Sequence, residues 1–447
     1  MLNKYFCLLF CLFAGINSFG QIEINKELTI DPYTKRFQKR GSASLKEAIE
    51  RSGTLNTPNY FQQNPVIKKR YVVSLLLPFS SVATENKIDA FLNARETGVK
   101  PQLISDEAKT SLDFYDGVLF ALKEMQDSLL EIELHVFDTW NNDSITKELL
   151  KQKTIQYSNI IIGPATNSTS KLVADFCKQR KIINVQPFSP SKSLTTDNPY
   201  HIKIAPTMDA HIDNMARSLA DSFLKENIII YCTNQESSLQ SAKRLDSLLK
   251  NFDGIGKTRF TSTLFNFSNP IVKGEKKTLN DLLSATKRNV VVVCAFDESN
   301  AQMVVKQLAE KKSNVVVYGM PTWLNSEILR LDYLNKLSAR FTEQYVFDTT
   351  TDKTLNFYYT FYHEYNIYPA RYAWLGYDVI KWLEKSLKAE GEFPFNIAGT
   401  FYSGVGNKFQ FRAVTSGKPD EKPRTDYFEN SYLHLVRLEN YVLVKEW

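Results

Sequence analysis

The 447-residue chain offers no apolar run after its first residues that is long enough to cross a bilayer as a helix, which takes about 20 residues. The early run over residues 6–14 is shorter than that and has the layout of a secretory leader. Lys4 supplies the positive start, and Ser18 and Gly20 are the small residues before a cut ahead of Gln21. The sequence therefore predicts a leader over 1–20 and an exported, periplasmic product with no membrane span. Cysteine is also scarce. Cys7 and Cys11 lie in the leader without a polar mature sequence behind them, which argues against a lipid anchor. Cys177, Cys232 and Cys294 remain, an odd set in apolar surroundings that gives no disulfide framework and reads as buried free thiols. His135, His201, His211, His363 and His434 are scattered without the spacing of a zinc site. H-E-x-x-H, C-x-x-C, G-x-S-x-G, a P-loop and a G-x-G-x-x-G after a strand are all missing. Gly404-Val405-Gly406 is a plain turn signal. These absences point away from an enzyme and imply no cofactor and no metal. The net charge of +6 is spread along the chain, and its densest basic run, Lys68-Lys69-Arg70, is too short to argue for nucleic acid.

What is present is an ordinary globular balance, 43% hydrophobic and 23% charged, in a chain long enough for two domains. The most informative stretch runs from Asn159 to Ser191. Its β-branched run at 160–162 ends at Gly163-Pro164, as a strand buried on both faces would. Asn167, Ser168 and Thr169 are good helix caps, and Leu172, Val173, Phe176 and Cys177 follow at helical spacing. A second apolar run at 182–185 leads into Gln186-Pro187-Phe188-Ser189-Pro190-Ser191. This strand–helix–strand unit leaves two hydroxyl-bearing loops at the carboxyl edge of a parallel sheet, where open α/β sheets bind ligands.

Around it, strands are expected at 71–79, 132–137 and 201–205, and helices at 111–130 and 144–153. A long polar loop over 80–109 reads equally as a lid or as an insertion. After Pro206 the alternation restarts. Helices are expected at 209–225, 237–251, 278–286 and 299–311, and strands at 227–232, 259–265, 289–296, 314–318 and 341–348. The repetition argues for two similar lobes. Helices at 353–365 and 372–388 carry a dense aromatic set that reads mostly as core. Hairpin-like pieces at 408–414 and 432–444 end the chain, and residues 21–70 read as a polar arm.

The order of elements, with N-I-I-I-G-P-A-T-N-S-T-S, I-I-N-V-Q-P-F-S-P-S, V-V-V-Y-G-M-P and L-G-Y-D-V-I, resembles the type 1 periplasmic binding proteins. The resemblance is to receptors for leucine, isoleucine and valine and, more narrowly, to bacterial receptors of this fold found behind LysM modules. It implies an α/β fold of two Rossmann-like lobes with parallel sheets. Three crossings are expected near Pro206, Ser338 and Ile397. That divides the chain into 71–206 plus 339–396 for the first lobe and 207–338 plus 397–447 for the second. It also implies a small anionic or zwitterionic, amino-acid-like ligand between the lobes and an ABC permease as partner. The first-lobe site would be Thr166, Asn167, Ser168 and Thr169 with Phe188, Ser189 and Ser191. Those groups serve equally to cap their own helix. In the second lobe the family's tyrosine and acid are replaced by Thr233-Asn234-Gln235-Glu236-Ser237 and Gly319-Met320-Pro321-Thr322-Trp323, leaving Glu236, Asp297 and Trp323 as candidates. The departure keeps open a second reading, an envelope sensor or scaffold with a degenerate cleft that is linked to the cell wall and acts through a cell-envelope protein.

Overall fold

The computed structural model describes residues 69–81, 104–125, 128, 130–223, 225–251, 262–311, 314–348, 351–391, 397–416 and 424–446. The residues expected to form a leader, most of the expected polar arm and most of the expected loop over 80–109 lie outside these residues.

Apolar β-branched runs form the centres of two sheets. The first lobe opens with β1 (Arg70–Leu77), α1 (Asp106–Glu124), β2 (Glu131–Asp138), α2 (Asp143–Leu149), α3 (Lys153–Gln156), β3 (Ile160–Ile162), α4 (Asn167–Arg180), β4 (Ile183–Gln186) and β5 (His201–Lys203). The second continues with α5 (Met208–Ser222), β6 (Asn227–Cys232), α6 (Glu236–Asn251) and β7 (Ser262–Asn266). A small hairpin, β8 (Ile271–Val272) and β9 (Glu275–Lys276), precedes β10 (Asn289–Val293), α7 (Glu298–Ala309), β11 (Val315–Tyr318), α8 (Leu331–Lys336) and β12 (Arg340–Glu343). The chain ends through α9 (Asp352–Tyr365), α10 (Arg371–Glu390), β13 (Phe401–Ser403), β14 (Lys408–Ser416), β15 (Arg424–Asn430), β16 (His434–Glu439) and β17 (Val442–Lys445). The first sheet has the order β13-β14-β15-β5-β4-β3-β1-β2, and the second β17-β16-β12-β11-β10-β6-β7. β3, β4, β10 and β11 are buried along their whole length, as strands covered by helices on both faces must be.

Each sheet has its own apolar core. In the first, α1 and α10 cross closely because both lack a side chain at the contact. A Cβ at Gly117 would lie 1.9 Å from the Ala373 carbonyl oxygen, and one at Gly376 would lie 2.1 Å from that of Phe114. The aromatic set of α9 and α10 is split. Phe357, Phe361 and Trp374 are buried, whereas Tyr359 and Tyr368 are exposed.

The tail departs from the expected division. β13, β14 and β15 belong to the first sheet, and of the described tail only β16 and β17 join the second. Phe409 and Phe411 pack on Trp382 of α10, with ring centroids 6.1 and 4.8 Å away, which anchors β14 to the first core. The strand expected over 341–348 stops at Glu343 and belongs to the second sheet. Beyond it, Tyr345 and Phe347 enter the first core and Val346 the second, so the crossing is made here and not at Ser338. The third crossing follows Asn430 and not Ile397. The helix expected at 278–286 is a single 3-10 turn, Leu279–Leu282, closed by a capping box between Thr278 and Asp281.

Two carboxylates on α1 sit in poor solvent. Burial pushes Asp113 up to about 6, with Lys109 opposing, and pushes Asp116 up to about 7, with Asp113 adding repulsion. A raised carboxyl stabilises the fold below its unfolded value near 4, and that contribution is lost as pH rises through 6 to 7. Asp116→Asn is therefore expected to match the parent only below about pH 4, where both states hold the proton, and to exceed it at pH 8 by roughly 1–3 kcal/mol in urea unfolding. An equal midpoint at pH 8 would show that the group is solvated.

Candidate ligand-binding site

The three crossings fix how the lobes face each other. The first leaves the carboxyl end of β5 and enters α5, whose start lies at the carboxyl edge of the second sheet because α5 runs back along β12: His211 Nδ1 lies 2.8 Å from Thr342 Oγ1, and the Phe223 ring 5.4 Å from the Arg340 guanidinium. The second leaves the carboxyl end of β12, which is parallel to β11. The third leaves the carboxyl end of β15, parallel to β5, and enters β16 opposite Glu343, the last residue of β12. All three therefore join carboxyl edge to carboxyl edge, and the strand-tip loops of both lobes border one crevice.

In the first lobe, β3 ends at Gly163, whose φ of 95° suits glycine and whose Cβ, were there one, would lie 2.2 Å from the Leu76 carbonyl oxygen. The chain passes the cis peptide Gly163–Pro164 and starts α4 at the N-cap Thr166. Thr166 does not cap with its side chain. Its hydroxyl donates to Asn141 Oδ1 at 2.5 Å and lies 2.9 Å from Thr169 Oγ1. The first-turn N–H groups of α4 are thus left for water or an anion.

The second loop is locked to the first from below. Buried Gln186 accepts from the Phe188 and Ser189 N–H groups at 2.8 and 3.1 Å through Oε1. Through Nε2 it donates to the Pro164 carbonyl and the Ser170 hydroxyl, both at 2.6 Å. Ser189 Oγ donates to Asn167 Oδ1 at 2.6 Å and accepts from the Ser191 N–H at 3.2 Å. Lys203, only 1% exposed, donates to the Ser189 and Ser191 carbonyls at 2.8 and 2.6 Å. Burial pulls this ammonium down to about 8, with Glu429 opposing. Phe188 sits between Phe114 and Tyr372, with centroids 5.0 and 5.8 Å away. The seven first-lobe candidates therefore share one rigid two-loop surface. Asn167 and Ser168 are exposed on it, and Thr169 and Ser189 are buried beneath it.

The second-lobe candidates do not converge in this way. Glu236 opens α6 and its carboxylate accepts from Gln240 Nε2 at 2.8 Å. Asp297 caps α7, accepting from the Ser299 and Asn300 N–H groups at 2.8 and 3.4 Å. Trp323 points into the second core, not into the crevice. It is 3% exposed, donates to the Ala295 carbonyl at 2.9 Å, and occupies space left open by Gly319. Sequence reasoning nominated neither Gln186 nor Lys203. Each is a polar residue in a short apolar strand just before a loop, which is the only local signal they give.

Charge also links the lobes. Asp213 of α5 receives Arg244 Nε and Nη2 at 2.7 and 2.9 Å from its own lobe, and Arg412 Nη1 at 2.5 Å from β14 of the first sheet. Lys192, two residues after the Phe188–Pro190 turn, pairs with Asp209 at 3.3 Å. Among the described residues no cluster of His, Cys, Asp and Glu is placed to hold a metal ion, and no helix is long and apolar enough to cross a membrane.

Residues 115–389, more than half of the chain, match the family described as receptor family ligand binding region. The chain belongs to this family. The family is defined by ligand binding, in agreement with the reading of a binding protein and not an enzyme. The fold is that of the type 1 periplasmic binding proteins. It is similar to an ABC transporter substrate-binding protein from Desulfitobacterium hafniense in complex with Leu, at 15% identity and a TM-score of 0.51, over 84% of this chain and 99% of that one. It is also similar to a putative branched-chain amino acid ABC transporter from Rhodospirillum rubrum, at 12% identity and a TM-score of 0.54, with the same 84% and 99% coverage. Full-length LpoA from Haemophilus influenzae matches at 11% identity and a TM-score of 0.51, over 86% of this chain and 59% of that one. No curated protein matches the chain in sequence.

Proposed function

We propose that the chain is an exported solute-binding protein that captures a small carboxylate-bearing ligand, anionic or zwitterionic and amino-acid-like, between its two lobes. The observation that carries this reading is the start of α4. Its N–H groups have no side-chain cap, and they are held beside Asn167, Ser168 and Ser189 on a surface braced by Gln186 and Lys203. Unsatisfied N–H groups and the positive end of a helix dipole both favour an anion. Closure of the lobes over the ligand would be the state read by a partner, an ABC permease in a transport role. The leader-like residues 1–20 support a periplasmic location.

A thermal-shift panel of amino acids, short peptides, sugars and nucleosides tests the reading. A carboxylate-bearing compound is expected to stabilise the protein saturably, and Ser168→Ala with Ser189→Ala to abolish the shift. Silence across the panel would overturn it. Lys203→Met is expected to weaken binding by about tenfold or more, ~1.4 kcal/mol, because the Ser189–Ser191 backbone loses both ties to the ammonium. Titration of the ligand found would check this.

One observation favours a second reading. In the second lobe the carboxylates of Glu236 and Asp297 bond their own helices, and Trp323 is buried. A cleft with one equipped wall suits an envelope sensor or scaffold that works through protein contacts. Capture of an envelope partner unaffected by the paired serine substitutions, together with a silent panel, would favour it.

A further inference from the structure

A second site stands at the opposite end of the second sheet. A cavity of about 310 Å³ opens at the amino ends of β10, β11 and β12, away from the crevice, and its wall includes Arg288, Lys311, Lys336, Ser338, Arg340 and Arg437. Five of these six side chains are cationic. Two are held in place. Arg340, whose side chain is 11% exposed, donates through Nε to Glu446 Oε2 at 3.0 Å and through Nη1 to the Ser338 carbonyl at 3.2 Å. Its guanidinium lies 5.4 Å from the Phe223 ring centroid and 6.0 Å from that of Tyr318. Arg437 pairs with Glu439 at 2.7 Å and with the other oxygen of Glu446 at 3.2 Å. The side chains of Arg288, Lys311 and Lys336 form no ion pair among the described residues, although the Arg288 main-chain N–H donates to Glu226 Oε2 at 3.1 Å.

Helix dipoles account for part of this. Lys311 and Lys336 lie at the carboxyl ends of α7 and α8, where a cation is favourable. That explanation does not reach Arg288, which belongs to no helix. Nor does it explain why all five cations line one concavity while, among the described residues, only the carboxylates of Glu439 and Glu446 form ion pairs with any of their side chains. Uncompensated charges of one sign in a concave wall focus the field toward an ion of the other sign. Guanidinium forks match the oxygens of phosphate better than a single ammonium does. We propose that this cavity is a binding site for a multiply charged phosphate-type anion, separate from the crevice and independent of what the crevice holds.

Two sources present that chemistry, a free phosphate compound and an anionic lipid headgroup. Calorimetric titration of the whole protein with pyrophosphate at low salt, and sedimentation with phosphatidylglycerol vesicles, separate them. Pyrophosphate is expected to bind and to weaken as salt rises toward about 0.1 M. Arg288→Glu with Lys336→Glu, two exposed positions, is expected to lower its affinity at least tenfold while leaving the melting temperature and any cleft ligand unaffected. Vesicle binding that pyrophosphate displaces would support the site and assign it to a headgroup. Failure of both probes, or binding that the double variant retains at full strength, would overturn the proposal.

Discussion

Asp378→Ala is expected to cost about 3–5 kcal/mol, a large share of a typical folding free energy of 5–15 kcal/mol. Asp378 lies on the inner face of α10 and is fully buried. Its carboxylate accepts from the N–H groups of Val405, Gly406 and Asn407 at 2.7, 2.9 and 2.6 Å, and from Asn407 Nδ2 at 3.0 Å. Burial pushes the group up to about 6 even against these four donors. Alanine would leave three backbone N–H groups in the interior without an acceptor, each costing about 1–3 kcal/mol. The turn also fits tightly, since a Cβ at Gly404 would lie 2.1 Å from Asp378 Oδ1. Because this turn joins β13 to β14, its loss would loosen the strands that bring residues 401–430 back to the first sheet. Urea denaturation checks the expectation. Asp378→Asn, which keeps one acceptor and the side-chain shape, should fall between parent and alanine. An unchanged midpoint for the alanine variant would mean that water replaces the carboxylate.

This contact shows where sequence reading reaches and where it stops. Gly404-Val405-Gly406 was legible as a turn and L-G-Y-D-V-I as part of a helix, but nothing local says that one grips the other. The central strands were legible because runs such as Ile160–Ile162 and Asn289–Val293 suit only a sheet covered on both sides. β15 was not, because Thr425, Asp426, Glu429 and Asn430 make it look like a loop. These side chains are buried with partners far away in the chain, such as the Thr207 hydroxyl on Glu429 and the Asp197 N–H on Asp426. Missing β15 sent the tail to the wrong lobe. At the site, the hydroxyl loops were legible from their residue types and place after a strand. The direction of Trp323 was not, since it depends on the space left at Gly319 by a side chain that is absent. Asp297, four residues before an apolar helix face, carried a capping signal as strong as any binding signal.

Asp213→Ala should be the second most damaging substitution, at about 2–4 kcal/mol, with the added effect of loosening one lobe from the other. Asp213 is 10% exposed in its side chain and holds Arg244 and Arg412, which approach it from opposite lobes. Arg217 also lies within its field. Burial alone would raise the Asp213 carboxyl, but hydrogen bonds and charge from Arg244 and Arg412 outweigh it and hold the group below its ordinary value. Its contribution is therefore complete above the unfolded value near 4 and is lost as pH falls through the lower folded value. Without Asp213, Arg412 keeps only Glu429, which already accepts from Thr207 Oγ1 at 2.8 Å, and Arg244 keeps the longer contact to Asp209 at 3.7 Å. The pair Asp213→Ala and Arg412→Met should be less harmful together than the sum of each alone, with a coupling of about 1–3 kcal/mol. Small-angle scattering should show a wider spread of lobe separations in either single variant. Strict additivity, with scattering like the parent's, would mean that the three crossings and the remaining contacts between the lobes set their arrangement without the Asp213–Arg412 pair.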